Sequence, residues 1–322
     1  MELNAIYAPV HQDLDKVDEK LKTLCQTDFP EVSKLLDYSL KSEGKRIRPA
    51  LTLLAGKFYD YNLDYLLPMA AAAEMMHIAT LVHDDAIDNA STRRGRVTVN
   101  KLWGEDKAVL LGDYLFAEAG GLVASTGNLL VIKLFASTLK TISAGELNQG
   151  FSAFHLEQER RQYIRRVAMK TASLFTMATE SGAALSKAPE KSIQILIEYG
   201  YNLGIAFQIV DDILDFIGTE QELGKPVGSD LTQGTLTLPM MLFIEHYPED
   251  NPIKKVFNGE DRQGNVKRAI EKIRGDSSII QECYQLASEY CAAACRNLNQ
   301  LPDNAARQSL TGLADYIIRR RK

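Results

Sequence analysis

The chain has 322 residues, enough for one large domain or two ordinary ones. Hydrophobic residues make up 45%, charged residues 25%, and the formal charge is -5. That balance is ordinary for a soluble globular protein and argues against a nucleic-acid partner held by charge. Cys25, Cys283, Cys291 and Cys295 show no metal-ligand spacing with histidine. With an acidic N-terminus lacking a signal-peptide core, they read as reduced thiols of a cytoplasmic protein. No apolar run is expected to reach the length a bilayer span needs. At most peripheral membrane contact is anticipated. The basic tail Arg319-Arg320-Arg321-Lys322 reads first as a solvated helix end that suits the helix dipole.

Apolar residues recur at three- and four-residue spacing through most of the chain, and β-branched alternation is scarce. The pattern predicts helices over 10–24, 29–43, 47–60, 64–90, 101–125, 128–153, 157–186, 190–217, 236–247, 263–274, 277–299 and 303–321. Gly218, Gly224, Pro226, Gly228 and Gly234 crowd into the longest loop signal. There is no tandem repeat or convincing linker, so a single domain over 1–322 is expected, an all-α bundle.

In chain order, the first chemical signal is Gly44-Lys45-Arg46-Ile47-Arg48-Pro49. It sets three cations beside a helix start, where anions bind well. The next is Asp84-Asp85-Ala86-Ile87-Asp88, which closes an otherwise apolar helix. Arg93 and Arg94 follow it directly. Lys170-Thr171 comes later. A second acidic triad, Asp211-Asp212-Ile213-Leu214-Asp215, again lies in an apolar helix, and Lys225 follows in the glycine-rich loop.

Residues four apart share a helix face, so Asp84 stands over Asp88 and Asp211 over Asp215. Carboxylates crowded in apolar surroundings need a compensating cation. Oxygen-only donors favour a hard ion such as Mg²⁺, which keeps waters and is commonly completed by substrate phosphates. A lone acidic triad is often just a solvated helix end. Two copies, both inside apolar helices and accompanied by Arg and Lys, point to a diphosphate bridged by metal.

These motifs resemble the trans-isoprenyl diphosphate synthase family, in particular its long-chain polyprenyl (octaprenyl- or solanesyl-type) branch. The matching stretches are GKRIRP at 44–49, EMMHIATLVHDDAIDNASTRRG at 74–95, GELNQG at 145–150, KTASLF at 170–175, GIAFQIVDDILDF from 204, and GKPVGSDL ending at 231. The resemblance implies the isoprenoid synthase helical bundle with a central substrate cavity. It implies Mg²⁺, isopentenyl diphosphate, an allylic diphosphate (farnesyl or geranylgeranyl) and a homodimer.

It further implies that Asp84 and Asp88, with Asp85 in support, hold metal from one wall. Asp211 and Asp215, with Asp212, would do so from the other. Arg93, Lys170 and Lys225 would contact the allylic diphosphate. Lys45, Arg48, His77 and Arg94 would bind isopentenyl diphosphate, and Thr171 and Gln208 would line the reaction centre. Many relatives carry a lysine where Thr235 stands, which removes one cation here.

The chemistry implied is ionisation of the allylic diphosphate, attack by the double bond of isopentenyl diphosphate, and loss of a proton to the departing diphosphate. Repetition needs a tunnel. Ala79 and Thr80, five and four residues before Asp84, are small where short-product relatives carry a bulky aromatic. Ala70 to Ala73 lie further down the same helix. About twenty residues of helix span roughly 30 Å, which fits about six isoprene units, more if the chain bends past Met75 or Met76. The expected product is about C30–C50.

Other readings fit less well. A terpene cyclase usually lacks Lys45, Arg48, His77 and a second triad of this form. A di-iron bundle needs a second Glu-x-x-His besides Glu74-Met75-Met76-His77. A non-catalytic subunit of a heteromeric synthase generally has eroded triads, and both are intact here.

Overall fold

The structure is a computed structural model that describes residues 2–41, 44–219 and 226–320. In chain order the helices are α1 (Leu3–Tyr7), α2 (His11–Thr23), α3 (Pro30–Leu40), α4 (Ile47–Gly56) and α5 (Leu63–Ile87). A ribbon of β1 (Thr92–Arg93) and β2 (Arg96–Val97) follows. Then come α6 (Val99–Trp103), α7 (Glu105–Ala124), α8 (Leu129–Phe151), α9 (Arg160–Val167), α10 (Ser173–Leu185) and α11 (Glu190–Ile217). The last are α12 (Ser229–Thr232), α13 (Leu238–His246), α14 (Pro252–Phe257), α15 (Arg262–Gly275), α16 (Ser277–Cys295) and α17 (Ala305–Arg319). The expected all-α class holds.

α5 is the central helix. From Leu66 to Ala73 nearly every side chain is fully buried, including Met69, Ala70, Ala71 and Ala72. A helix apolar on every side must be covered on every side, and α2, α4, α7 and α10 wrap it. By length and composition α5 could cross a membrane, which corrects the expectation that no apolar run does so. The reason is that Glu74 is the only Asp, Glu, Lys or Arg between Asp64 and Asp84. Here 72% of its most apolar window is buried in the bundle.

α11 lies against α10 on one side and against α16 and α17 on others. A Cβ at Gly204 would fall 2.5 Å from the Cα of Ala172, so only glycine lets α11 cross that backbone so closely. The crossing sets Gln208, one turn further on, against Thr171.

The helix predicted over 157–186 is interrupted. A single π-helical turn, Ala168–Ala172, separates α9 from α10 and carries Lys170 and Thr171. Such turns are uncommon and concentrate at functional sites. The helix predicted over 101–125 is split at Gly104 (φ 96°) into α6 and α7, and the short α1, α12 and α14 fall outside the predicted helices, because one or two turns give too little periodicity to detect.

Candidate active site

The open face of α5 carries the first triad. His77, Thr80, Leu81, Asp84 and Asp88 fall on one helical stripe and stay at least partly exposed, while Ile78, Ala79, Val82, Asp85 and Ala86 are buried. Lys170 reaches Asp84 at 3.4 Å and Glu146, on α8, at 2.7 Å. Burial would lower the Lys170 pKa, but the two carboxylates outweigh it and raise the ammonium well above its ordinary value. Desolvation, and then the neighbouring Asp84 charge, raises the Asp88 carboxyl. Asp85 is different: it is buried and accepts a 2.6 Å hydrogen bond from Arg93 Nε.

The ribbon after α5 sorts the two arginines. Arg94 (φ 52°) and Gly95 (φ 73°) are both left-handed, the geometry of a tight two-residue hairpin turn. A non-glycine residue there costs about 1–2 kcal/mol. The turn sends Arg93 to Asp85, whereas Arg94 lies by Gly44 and feels the charge of Glu74.

The second triad is held by other means. Asp212 is 3% exposed and accepts from Gln208 Nε2 at 2.8 Å and from Tyr163 Oη at 2.7 Å. Gln208 in turn accepts from Thr171 Oγ1 at 2.7 Å. Burial, then the charge of Asp230, pushes Asp212 up to about 7. Asp215 is 1% exposed; Ser229 Oγ donates to it at 3.1 Å and the Asp230 amide at 3.4 Å. Asp215 thus fixes the start of α12. Asp215, expected to hold metal beside Asp211, has a carboxylate that is enclosed and engaged by the loop.

Asp211 is the open member, and it pairs with Arg320. Arg320 is buried, with its guanidinium 4.2 Å from the centre of the Phe207 ring. The basic tail is therefore not simply a solvated helix end: Arg320 folds back onto the second triad. Arg321 and Lys322 lie outside the described residues, as does Lys225.

Consecutive residues tie the triads together. Lys170 meets Asp84 of the first, and Thr171 reaches the second through Gln208. Beside them lies a cationic pocket. Burial, followed by the charges of Arg320 and Arg94, pushes Lys45 down to about 8. Burial pushes Arg48 down to about 10, and Arg320 likewise. His77 is held neutral by burial and by Arg48, Arg94 and Arg93. The Nε atoms of Arg48 and Arg320 are buried donors without a partner. Cations that depress one another while donors stand unused make a site that an anion relieves.

Among the described residues no three His, Cys, Asp or Glu side chains form a ready-made metal cage. The donor set nonetheless fits Mg²⁺. Asp84, Asp88 and Asp211 offer only oxygen, and the crowding that raises Asp88 is relieved by a cation. An ion that retains waters and takes phosphate oxygens needs no closed protein cage.

The residues named for chain length split. Ala79, Met75 and Met76 are fully buried, and Thr80 is half-buried with its hydroxyl donated to the His77 carbonyl at 2.7 Å. Two cavities of about 450 and 540 Å³ open along α2 and touch none of these residues. Thr235 is half-buried, its amide donating to the Asp230 carbonyl at 2.9 Å.

The polyprenyl synthetase family model matches residues 29–273. The chain belongs to the polyprenyl synthetase family. It is a prenyltransferase with the all-α isoprenoid synthase fold. It is 36% identical over 321 residues to heptaprenyl diphosphate synthase component 2 of Bacillus subtilis, covering 100% of this chain and 92% of that protein. The polyprenyl synthase of Caulobacter crescentus, crystallised with calcium and isoprenyl diphosphate, superposes with a TM-score of 0.95 at 32% identity, covering 100% and 98%. A decaprenyl diphosphate synthase from Rhodobacter capsulatus superposes at 0.91 with 34% identity over the whole of both chains. Heptaprenyl and decaprenyl relatives together leave the product length of this polyprenyl synthetase open.

Glu146, Arg320 and Tyr163 contact Lys170, Asp211 and Asp212, and Glu74 contacts Arg46, partners that the sequence did not reveal. GELNQG marked the segment of Glu146, but only the fold shows that it faces Lys170.

Proposed function

We propose that this prenyltransferase condenses isopentenyl diphosphate repeatedly onto an allylic diphosphate to give an all-trans polyprenyl diphosphate of about C30–C50, about 30 Å of helix accommodating about six isoprene units and a bend past Met75 or Met76 accommodating more. The observation that carries the reading is the bridge from Asp84 through Lys170 and Thr171 to Gln208 and Asp212, which draws both acidic walls toward one group.

Asp84, Asp88 and Asp211 would hold Mg²⁺, which when bound supplies the charge that stabilises a departing diphosphate. The remaining work falls to the chain. Lys170 and Arg93 orient the allylic diphosphate, with Lys225 assigned to the same group by resemblance. Neutral His77 donates to phosphate, while Lys45, Arg48 and Arg94 neutralise isopentenyl diphosphate. Thr171 and Gln208 present oxygen dipoles to the reacting carbons. Tyr163 fixes Asp212, and Asp212 fixes Gln208. Positioning of this kind converts a bimolecular encounter into a near-unimolecular step.

Ala79 is assigned to the tunnel that receives the growing chain, its small side chain leaving room past Thr80. Ala79→Tyr shortens the product if this is right. An unchanged product distribution from a folded variant refutes the assignment.

A homodimer is proposed as well. α7 and α8 leave Leu110, Tyr114, Leu130, Leu147 and Phe151 at the surface, with Leu110 66% and Phe151 81% exposed. An apolar face of this kind is covered in a stable assembly. Light scattering tests it. A monomer that gains activity only with a second protein would favour the heteromeric arrangement implied by the name of the Bacillus subtilis relative.

Radiolabelled isopentenyl diphosphate with farnesyl or geranylgeranyl primers, Mg²⁺ present or chelated, tests the reaction itself. Sized polyprenyl products that disappear with chelation support it. Hydrocarbon from the allylic substrate alone points instead to a cyclase.

A further inference from the structure

Three cations stand in a row at Lys45-Arg46-Arg48, and the structure gives the middle one a different task. Arg46 caps α4 in the left-handed conformation, φ 48°. Its guanidinium does not stand free for an anion. Nε meets Asp18 of α2 at 2.8 Å and Nη1 meets Glu74 of α5 at 2.9 Å. Glu74 is 3% exposed and lies one turn before His77 on α5.

Around this buried carboxylate the other cations gather. Burial lowers the pKa of Arg48 and Arg94 and the Glu74 charge opposes it at both, whereas at Arg46, which Glu74 contacts directly, the carboxylates prevail over burial and the pKa is raised. Gly44 completes the arrangement. A Cβ there would sit 3.2 Å from Arg94 Nη1 and 3.5 Å from Glu74 Oε1, so the missing side chain lets the two approach. The Lys45 carbonyl is fixed by Tyr7 Oη at 2.9 Å.

We propose that Glu74 is a positioning residue for the isopentenyl diphosphate pocket. Clamped with Asp18 on Arg46, it ties the start of α4 to α2 and α5. That fixes the backbone on which Lys45 and Arg48 are carried and holds Arg94 beside them. The inference rests on the functional reading above, in which Lys45, Arg48, His77 and Arg94 receive that diphosphate. A bare carboxylate in an anion pocket would weaken anion binding by charge alone, so the two roles predict opposite changes on its removal.

Glu74→Gln keeps the volume and removes the charge. A positioning role raises KM for isopentenyl diphosphate about tenfold, the loss of one charge-assisted contact, while KM for the allylic primer stays within about twofold. Glu74→Asp falls between Glu74→Gln and the wild type. Asp18→Asn, altering a side chain that is 40% exposed and so tolerant of change, raises the same KM by less. The Glu74→Gln and Asp18→Asn effects combine less than additively, because both act through Arg46.

A folded Glu74→Gln enzyme whose KM for isopentenyl diphosphate is unchanged or lower, or whose two KM values rise equally, overturns the proposal. Should Glu74→Gln fail to fold, an Asp18→Asn enzyme with unchanged KM overturns it as well. A wild-type chain that incorporates no isopentenyl diphosphate overturns the functional reading itself, and this inference with it.

Discussion

The two acidic triads are nearly identical as strings, yet the fold treats them differently. On α5 the outer residues, Asp84 and Asp88, stand on the open face, where Lys170 meets Asp84, and the buried Asp85 is tied down by Arg93. On α11 one residue is open. Asp211 carries a side chain that is 39% exposed, Asp212 is buried between Tyr163 and Gln208, and Asp215 secures the start of α12. Repetition in sequence is thus not symmetry in function. The first triad turns two carboxylates toward a cation on its open face, and the second turns one, paired with Arg320, and uses the others to build its own wall.

That asymmetry is most sharply tested by substitution. Asp84→Asn and Asp211→Asn should each lower kcat about 10²- to 10³-fold, the scale of losing one preorganised charge-stabilising group, with little change in stability. Steady-state kinetics beside thermal melts would show it. Asp215→Asn should behave otherwise, lowering kcat less than about tenfold while lowering stability by about 1–3 kcal/mol, the cost of a buried hydrogen-bond partner lost. Urea denaturation measures that. Equal kcat losses at Asp211 and Asp215 would restore the symmetric picture.

A smaller effect concerns what guards the open carboxylate. Arg320 competes with a cation for Asp211, so Arg320→Gln should reduce the Mg²⁺ concentration for half-maximal activity about three- to tenfold, the scale of a coupling of about 1 kcal/mol. Activity titrated against free Mg²⁺ reads this directly. A higher requirement would mean that Arg320 supports the metal site.

The smallest effect is one of pH. Burial, with Arg320 and Arg94 behind it, places Lys45 near pKa 8 in the free enzyme, and only the protonated form attracts phosphate. The charge is therefore present below pH 8 and lost above it. kcat/KM for isopentenyl diphosphate, which reports the free enzyme, should fall as pH rises through 8. Lys45→Arg should remove that alkaline limb, because guanidinium remains charged.

Much of this was legible in the chain. Both triads, Lys170-Thr171, and Lys45 and Arg48 beside their helix start carry their chemistry in residue type and helical spacing. The long helices announced themselves by period. What could not be read were partners set by distant contacts. Arg320 lies 109 residues from Asp211, and Tyr163 lies 49 from Asp212. Nor could periodicity show the π-turn at Ala168–Ala172, which distorts one helix by a single residue yet aims Lys170 and Thr171 at different walls. The sequence also left Arg46 among the cations facing substrate, because only the fold brings Asp18 and Glu74 to it.

Calorimetric binding of an unreactive allylic thiodiphosphate measures most directly whether both walls grip one diphosphate through divalent metal. Binding should be strong in Mg²⁺, be abolished by EDTA, and weaken at least tenfold in both Asp84→Asn and Asp211→Asn. Equal affinity with and without metal, or an Asp211→Asn protein that binds as the wild type does, would contradict the account.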